Sequence, residues 1–124
     1  MKIENINWQL ISLLNLVLII YLSFFIIPGS DDFPPIIAHV DKIGHFILYG
    51  FQAVSLSMHF RKYFFKNPNT IVFTICFLIG LIIEYLQPVL TNNRVFDFLD
   101  ILANLTGVLI SLIILKLLIK KRDK

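Results

Sequence analysis

The chain holds one cysteine, Cys76, set inside an apolar stretch, so neither a disulfide framework nor a cysteine metal site can be built. A thiol in such surroundings is expected to be buried and inert. Charge is scarce as well. Charged residues make up 15% of the 124 positions against 57% hydrophobic, with a mean hydropathy of +0.81, and this excludes an ordinary soluble globule. No internal repeat or low-complexity segment breaks the pattern. A cleavable leader is disfavoured too: the first apolar run is too long for a signal-peptide core, and Pro28-Gly29-Ser30 after it is a poor cleavage site. The net charge of +3 does not imply a nucleic-acid partner, because the basic residues sit at the ends of apolar stretches, where membrane topology accounts for them.

What is present is hydrophobicity in blocks, the pattern of membrane-spanning helices. Four spans are expected, at about 8–27, 43–60, 70–90 and 99–118, within one membrane domain covering 1–124. Each is long enough to cross a hydrocarbon core of ~30 Å at ~1.5 Å per residue. Pro28 and Gly29 end the first, and Asn67-Pro68-Asn69-Thr70 precedes the third. Asp97 is placed to cap the fourth by accepting from the free amides of its first turn. The fold class is therefore all-α, a four-transmembrane-helix bundle.

Lysine and arginine give the orientation. Lys2, Arg61, Lys62, Lys66, Lys116, Lys120, Lys121, Arg122 and Lys124 lie on one side, and only Lys42 and Arg94 on the other. Both termini and the middle loop are accordingly expected in the cytoplasm, with the first and third loops outside. The outer loop 29–40, with Asp31, Asp32, Phe33, Pro34 and Pro35, has mixed acidic and apolar character.

This topology collects the polar residues of the spans on the outer side. Asp41 and His45 are four apart on one helix face, with Tyr49 a further turn inward. Glu84 and Gln87 share a face, as do Asp97, Asp100, Asn104 and Gly107. An Asp at the centre of a spanning helix costs about 2.5–3.5 kcal/mol, less toward the ends, so such groups mark a site where they meet a partner, an ion or a substrate. A carboxylate one turn from an imidazole suits general acid–base work. Lys42 and Arg94 lie at the rim, positioned to neutralise the acids or to hold a lipid phosphate.

The motifs Asp41-Lys42-x-x-His45-x-x-x-Tyr49, Glu84-x-x-Gln87 and Arg94-x-x-Asp97-x-x-Asp100-x-x-x-Asn104-x-x-Gly107, in that order on three helices, resemble the VanZ-like family of small bacterial membrane proteins. The resemblance runs from Asp41 to Gly107. It implies a multi-pass protein of the bacterial cell membrane and a link to glycopeptide resistance of the teicoplanin type, a phenotype of one branch of that family. It implies no settled reaction.

Three functions follow from the residues. In the first, the outer cluster binds, or acts on, the polar head of an envelope lipid or lipid-linked precursor: His45 and Glu84 form the acid–base pair with Asp100, Asp41 orients, and Arg94 clamps phosphate. Lys42, Tyr49, Gln87, Asp97 and Asn104 complete the binding set. The second is a divalent metal site, for which Asp, Glu and His are suitable ligands. No dedicated metal spacing is present, so neither metal nor cofactor is expected. The third is a non-enzymatic accessory protein, acting through a membrane-protein partner, whose polar network only sets helix register. Plain structural roles compete at several positions. Asp97 reads as a cap before a catalyst, and Ala103, Gly107 and Ser111 at small-x-x-x-small spacing read as helix packing.

Overall fold

The computed structural model describes residues 6–26, 40–65, 67–92 and 94–122. Of the sequence readings above, those on Lys2, Pro28-Gly29-Ser30, loop residues 29–39, Lys66 and Lys124 fall outside the described residues. Four helices make up the fold: α1 (Trp8–Phe25), α2 (Val40–Tyr63), α3 (Asn69–Leu90) and α4 (Phe98–Arg122), with no strand among the described residues. Asn7 caps α1, its side chain accepting from the Leu10 amide at 3.0 Å. Asp97 caps α4 in the same way through the Leu99 amide at 2.8 Å. Pro88 is tolerated in the last turn of α3, immediately before the chain leaves the helix at Thr91.

Three helices, α1, α3 and α4, are long and apolar enough to cross a membrane. α2 is the longest departure from the expected spans, starting three residues before and ending three residues after the predicted 43–60. It is also the most polar, because its polar side chains are spent inward. His45, Gln52, Ser55 and Ser57 are all buried, together with Tyr49, Gly50 and Ala53. α2 packs against each of the other three helices and α3 does the same, whereas among the described residues the α1 and α4 backbones do not pair closely.

The distribution of polarity is inverted relative to a water-soluble bundle. Ser12, Asn15, Gln52, Glu84, Gln87, Asp100 and Asn104 are inside, while Leu13, Leu14, Val17, Ile113 and Leu117 point outward. Hydrocarbon solvates such an exterior at no cost, and the interior must then satisfy its own polar groups. Between α2 and α4 this interior is closed by backbone contact. A methyl group at Gly107 would run into the Phe46 carbonyl, and one at Gly50 would stand 2.6 Å from Ser111 Oγ and 3.1 Å from the Gly107 carbonyl. The small-residue stripe therefore works as packing. α1 is tied to α2 by a chain of neutral side chains: Asn15 Nδ2 donates to Leu48 O (3.0 Å) and to Gln52 Oε1 (2.8 Å), and Gln52 Nε2 donates to Ser12 Oγ (2.8 Å).

Candidate functional site

The tight α2–α4 crossing brings the start of α4 beside the start of α2, and the last turns of α3 complete the same end of the bundle. His45 is the centre of what collects there. Its Nδ1 lies 2.9 Å from Asn104 Oδ1. An amide oxygen only accepts, so Nδ1 is the donor and carries the ring proton, which leaves the Nε2 lone pair facing the other way when the ring is neutral. On that side stand Asp41 Oδ1 at 3.9 Å and Asp100 Oδ2 at 4.0 Å. Glu84 Oε1 lies 4.0 Å from Nδ1. Carboxylates from three helices thus surround one imidazole at distances too long for hydrogen bonds.

The two rim cations are turned onto the acids. Lys42 Nζ donates to Asp97 Oδ2 at 2.7 Å and to Asp100 Oδ1 at 3.0 Å. Arg94 Nη1 donates to Asp41 Oδ2 at 3.1 Å, and Nη2 donates to the carbonyl of Ile26 at the end of α1 at 3.0 Å. Asp97, which precedes α4, is held below the usual carboxylate range by the Lys42 ammonium and, after it, by the Leu99 amide. The four carboxylates Asp41, Glu84, Asp97 and Asp100 face two permanent cations, so the ionised cluster carries a surplus of negative charge around a neutral imidazole.

Glu84 is the extreme case. It is 0% exposed, and neither oxygen makes a hydrogen bond among the described residues. The Asp97 backbone amide is near enough to act on it electrostatically without closing such a bond. A buried carboxylate left without donors costs several kcal/mol unless something compensates it. Tyr49 is also fully buried, its ring stacked on His45 with centroids 6.2 Å apart, and its hydroxyl has no hydrogen bond among the described residues. Gly80 makes room for both Tyr49 and Asn104: a Cβ there would lie 3.0 Å from Asn104 Nδ2 and 3.3 Å from Tyr49 Cε1.

Nine of the ten residues singled out from the sequence gather at this end, and Gln87 is spent differently. Its Nε2 donates to the Ser23 carbonyl of α1 at 2.9 Å, which pins α1 to α3 beside the cluster. Sequence reasoning passed over the polar side of α1 entirely. Ser12, Asn15 and Ser23 share one buried stripe with Ile19, at spacings of three, four and four, and that spacing was the available signal. Beside the cluster a cavity of about 150 Å³ runs between α1 and α2. Ile19, Leu22, Ile26 and Leu48 form apolar walls, and Asp41, His45 and Arg94 stand at its polar end.

Compared with known proteins, the chain matches one family model, described as VanZ/LLP1, over residues 2–119. No curated protein and no solved structure matches it.

Proposed function

The chain belongs to the VanZ/LLP1 family, and from that premise we propose that it is a four-span protein of the bacterial cell envelope whose site binds the polar head of an envelope lipid or lipid-linked precursor. In this reading α2 crosses the membrane with the other three helices, shielding its polar face inside the bundle. Both termini are cytoplasmic, following the lysine and arginine bias, and the His45 cluster lies at outer-leaflet depth.

The observation that carries the reading is the cavity. An apolar slot that ends on Asp41, His45 and Arg94 has the polarity profile of an amphiphile, with an acyl chain along Ile19 and Leu48 and a headgroup at the charged end. A headgroup phosphate would exchange for Asp41 on Arg94, or for Asp97 and Asp100 on Lys42, the two cations at this end. His45, beside Glu84, is the group placed to move a proton on a bound headgroup. A change in susceptibility to teicoplanin-type glycopeptides is the phenotype expected where the bound lipid belongs to cell-wall synthesis.

The accessory reading is favoured by a different observation: the ion pairs of Lys42 and Arg94 and the Gln87 bond tie helices together whatever the site binds. One comparison separates the two. Wild type, His45→Ala and Glu84→Gln are purified, folded yield is measured, and bound lipid is identified by mass spectrometry. A lipid site predicts intact yield with bound envelope lipid reduced about tenfold or more in both variants. Lost yield in Glu84→Gln with unchanged lipid per folded molecule would leave only the architectural role.

A further inference from the structure

We propose that Asp41, His45 and Asp100 form a binding site for one divalent transition-metal ion of the zinc or manganese class, held by Asp41 Oδ1, His45 Nε2 and Asp100 Oδ2. These three residues present ligand atoms that lie within 4.8 Å of one another. The sequence does not announce the site, because the ligands come from two helices far apart in the chain rather than from one spaced motif. The close crossing of α2 on α4 makes it.

What distinguishes the trio from an ordinary acidic patch is how each member is held from behind. Asp100 gives Oδ1 to Lys42 and turns Oδ2 toward Nε2. Asp41 gives Oδ2 to Arg94 and turns Oδ1 toward the same nitrogen. Asn104 accepts from Nδ1, which fixes the tautomer whose lone pair is on Nε2. Outer groups that orient an imidazole and its neighbouring carboxylates in this way are the usual support of a metal centre. The separations agree. At 3.9 Å and 4.0 Å the two oxygens are too far from Nε2 to hydrogen-bond, whereas two ligands each ~2.0–2.2 Å from one ion stand up to about 4 Å apart.

An independent observation points to the same ligand. Glu84 is completely buried without a hydrogen bond among the described residues, and its Oε1 lies 4.0 Å from His45 Nδ1, on the ring edge away from Nε2, so it is a charge for the ion to balance through the ring and not a fourth ligand. Lys42 and Arg94 answer only two of the four carboxylate charges, and a divalent ion cancels the remaining pair. One nitrogen and two carboxylate oxygens select a borderline transition ion over calcium or magnesium, which prefer all-oxygen shells. Three protein ligands leave a coordination position for a further group. An ion there would bring the ionised cluster to neutrality, removing the negative surplus that opposes an anionic headgroup beside Lys42 and Arg94.

The test uses the full chain in detergent with no added lipid, so that it does not depend on lipid binding. Chelator-treated protein is titrated with ZnCl₂ and with MnCl₂, bound metal is measured by elemental analysis, and a CoCl₂-loaded sample is examined for visible ligand-field bands. Wild type should take up about one ion per chain, with Co²⁺ bands diagnostic of nitrogen and oxygen ligands. Asp41→Asn, His45→Ala and Asp100→Asn should each weaken uptake at least about tenfold. Asp41 is the part-exposed member at the start of α2, so its variant keeps the test decisive if a deeper one fails to fold. Ile113→Val, on the outward face of α4 and away from the cluster, should bind as wild type does. Absence of uptake by folded wild type, uptake unchanged in Asp41→Asn, or preference for CaCl₂ or MgCl₂ over ZnCl₂ would each overturn the proposal.

Discussion

Between α1 and α2, Ser12, Asn15 and Gln52 close a neutral network with hydrogen bonds of 2.8–3.0 Å, whereas the charged cluster one to two turns away meets His45 through three carboxylates no nearer than 3.9–4.0 Å. Both are polar islands inside one apolar bundle. The first has used its donors and acceptors on itself, and such a network contributes to folding and offers little to a ligand. The second keeps Glu84, the Tyr49 hydroxyl and Asn104 Nδ2 without hydrogen bonds among the described residues, at a cost in folding free energy. Saturation suits architecture, and the unused bonding capacity gathered around His45 is what the proposed binding rests on.

Three experiments would break or sharpen that contrast. The largest effect is expected at the helix crossing. Gly107→Leu drives a side chain into the Phe46 main chain and should cost about 3 kcal/mol or more, seen as loss of folded protein in detergent. A milder Gly107→Ala that folds should lose ligand and metal binding while the Ser12–Asn15–Gln52 network, which does not involve α4, stays intact. Next comes Asn15→Leu. It removes two hydrogen bonds and strands Gln52 Oε1, and should lower stability by about 1–2 kcal/mol in a thermal melt without altering lipid retention. Lost lipid retention in that variant would show that the two islands are one functional unit. The smallest effect is at the rim. Asp97 has a lowered carboxyl pKa, so its contribution is present above its ordinary value of ~3.9 and disappears as pH falls through the lowered one. Asp97→Asn keeps a capping side chain and removes the charge. Because the Asp97 side chain is 40% exposed, wild type should exceed this variant by less than about 1 kcal/mol at neutral pH, and the two melting curves should converge in acid as the pH falls through the lowered value.

Much of this was legible in the chain. Apolar blocks gave the helices, the i, i+4 and i, i+3 spacings put Asp41 with His45 and Asp100 with Asn104, and Asp97 announced its capping role by position. Gly107 showed itself through its small neighbours. The rest depended on rotation and register, which no single helix encodes. That Gln87 turns to Ser23 instead of the acids follows from where α1 docks. That Lys42 and Arg94 each take one oxygen of a carboxylate and leave its twin for His45 is a fact of three-body geometry. The Ser12, Asn15 and Ser23 stripe was visible, but weakly polar residues in a strongly apolar helix are easily passed over when charged ones stand elsewhere.

Main chain, not side chain, separates α2 from α4 where Gly107 meets Phe46. Rotamers relax readily and peptide units do not, so this seam acts as a gauge block, setting the span between His45 and Asp100 to a value that neither temperature nor lipid thickness readily changes. On the proposed reading an occupant must suit that gap as built, and evolution could retune the site's selectivity by altering one small residue about two turns below Asp100, leaving every polar group in place.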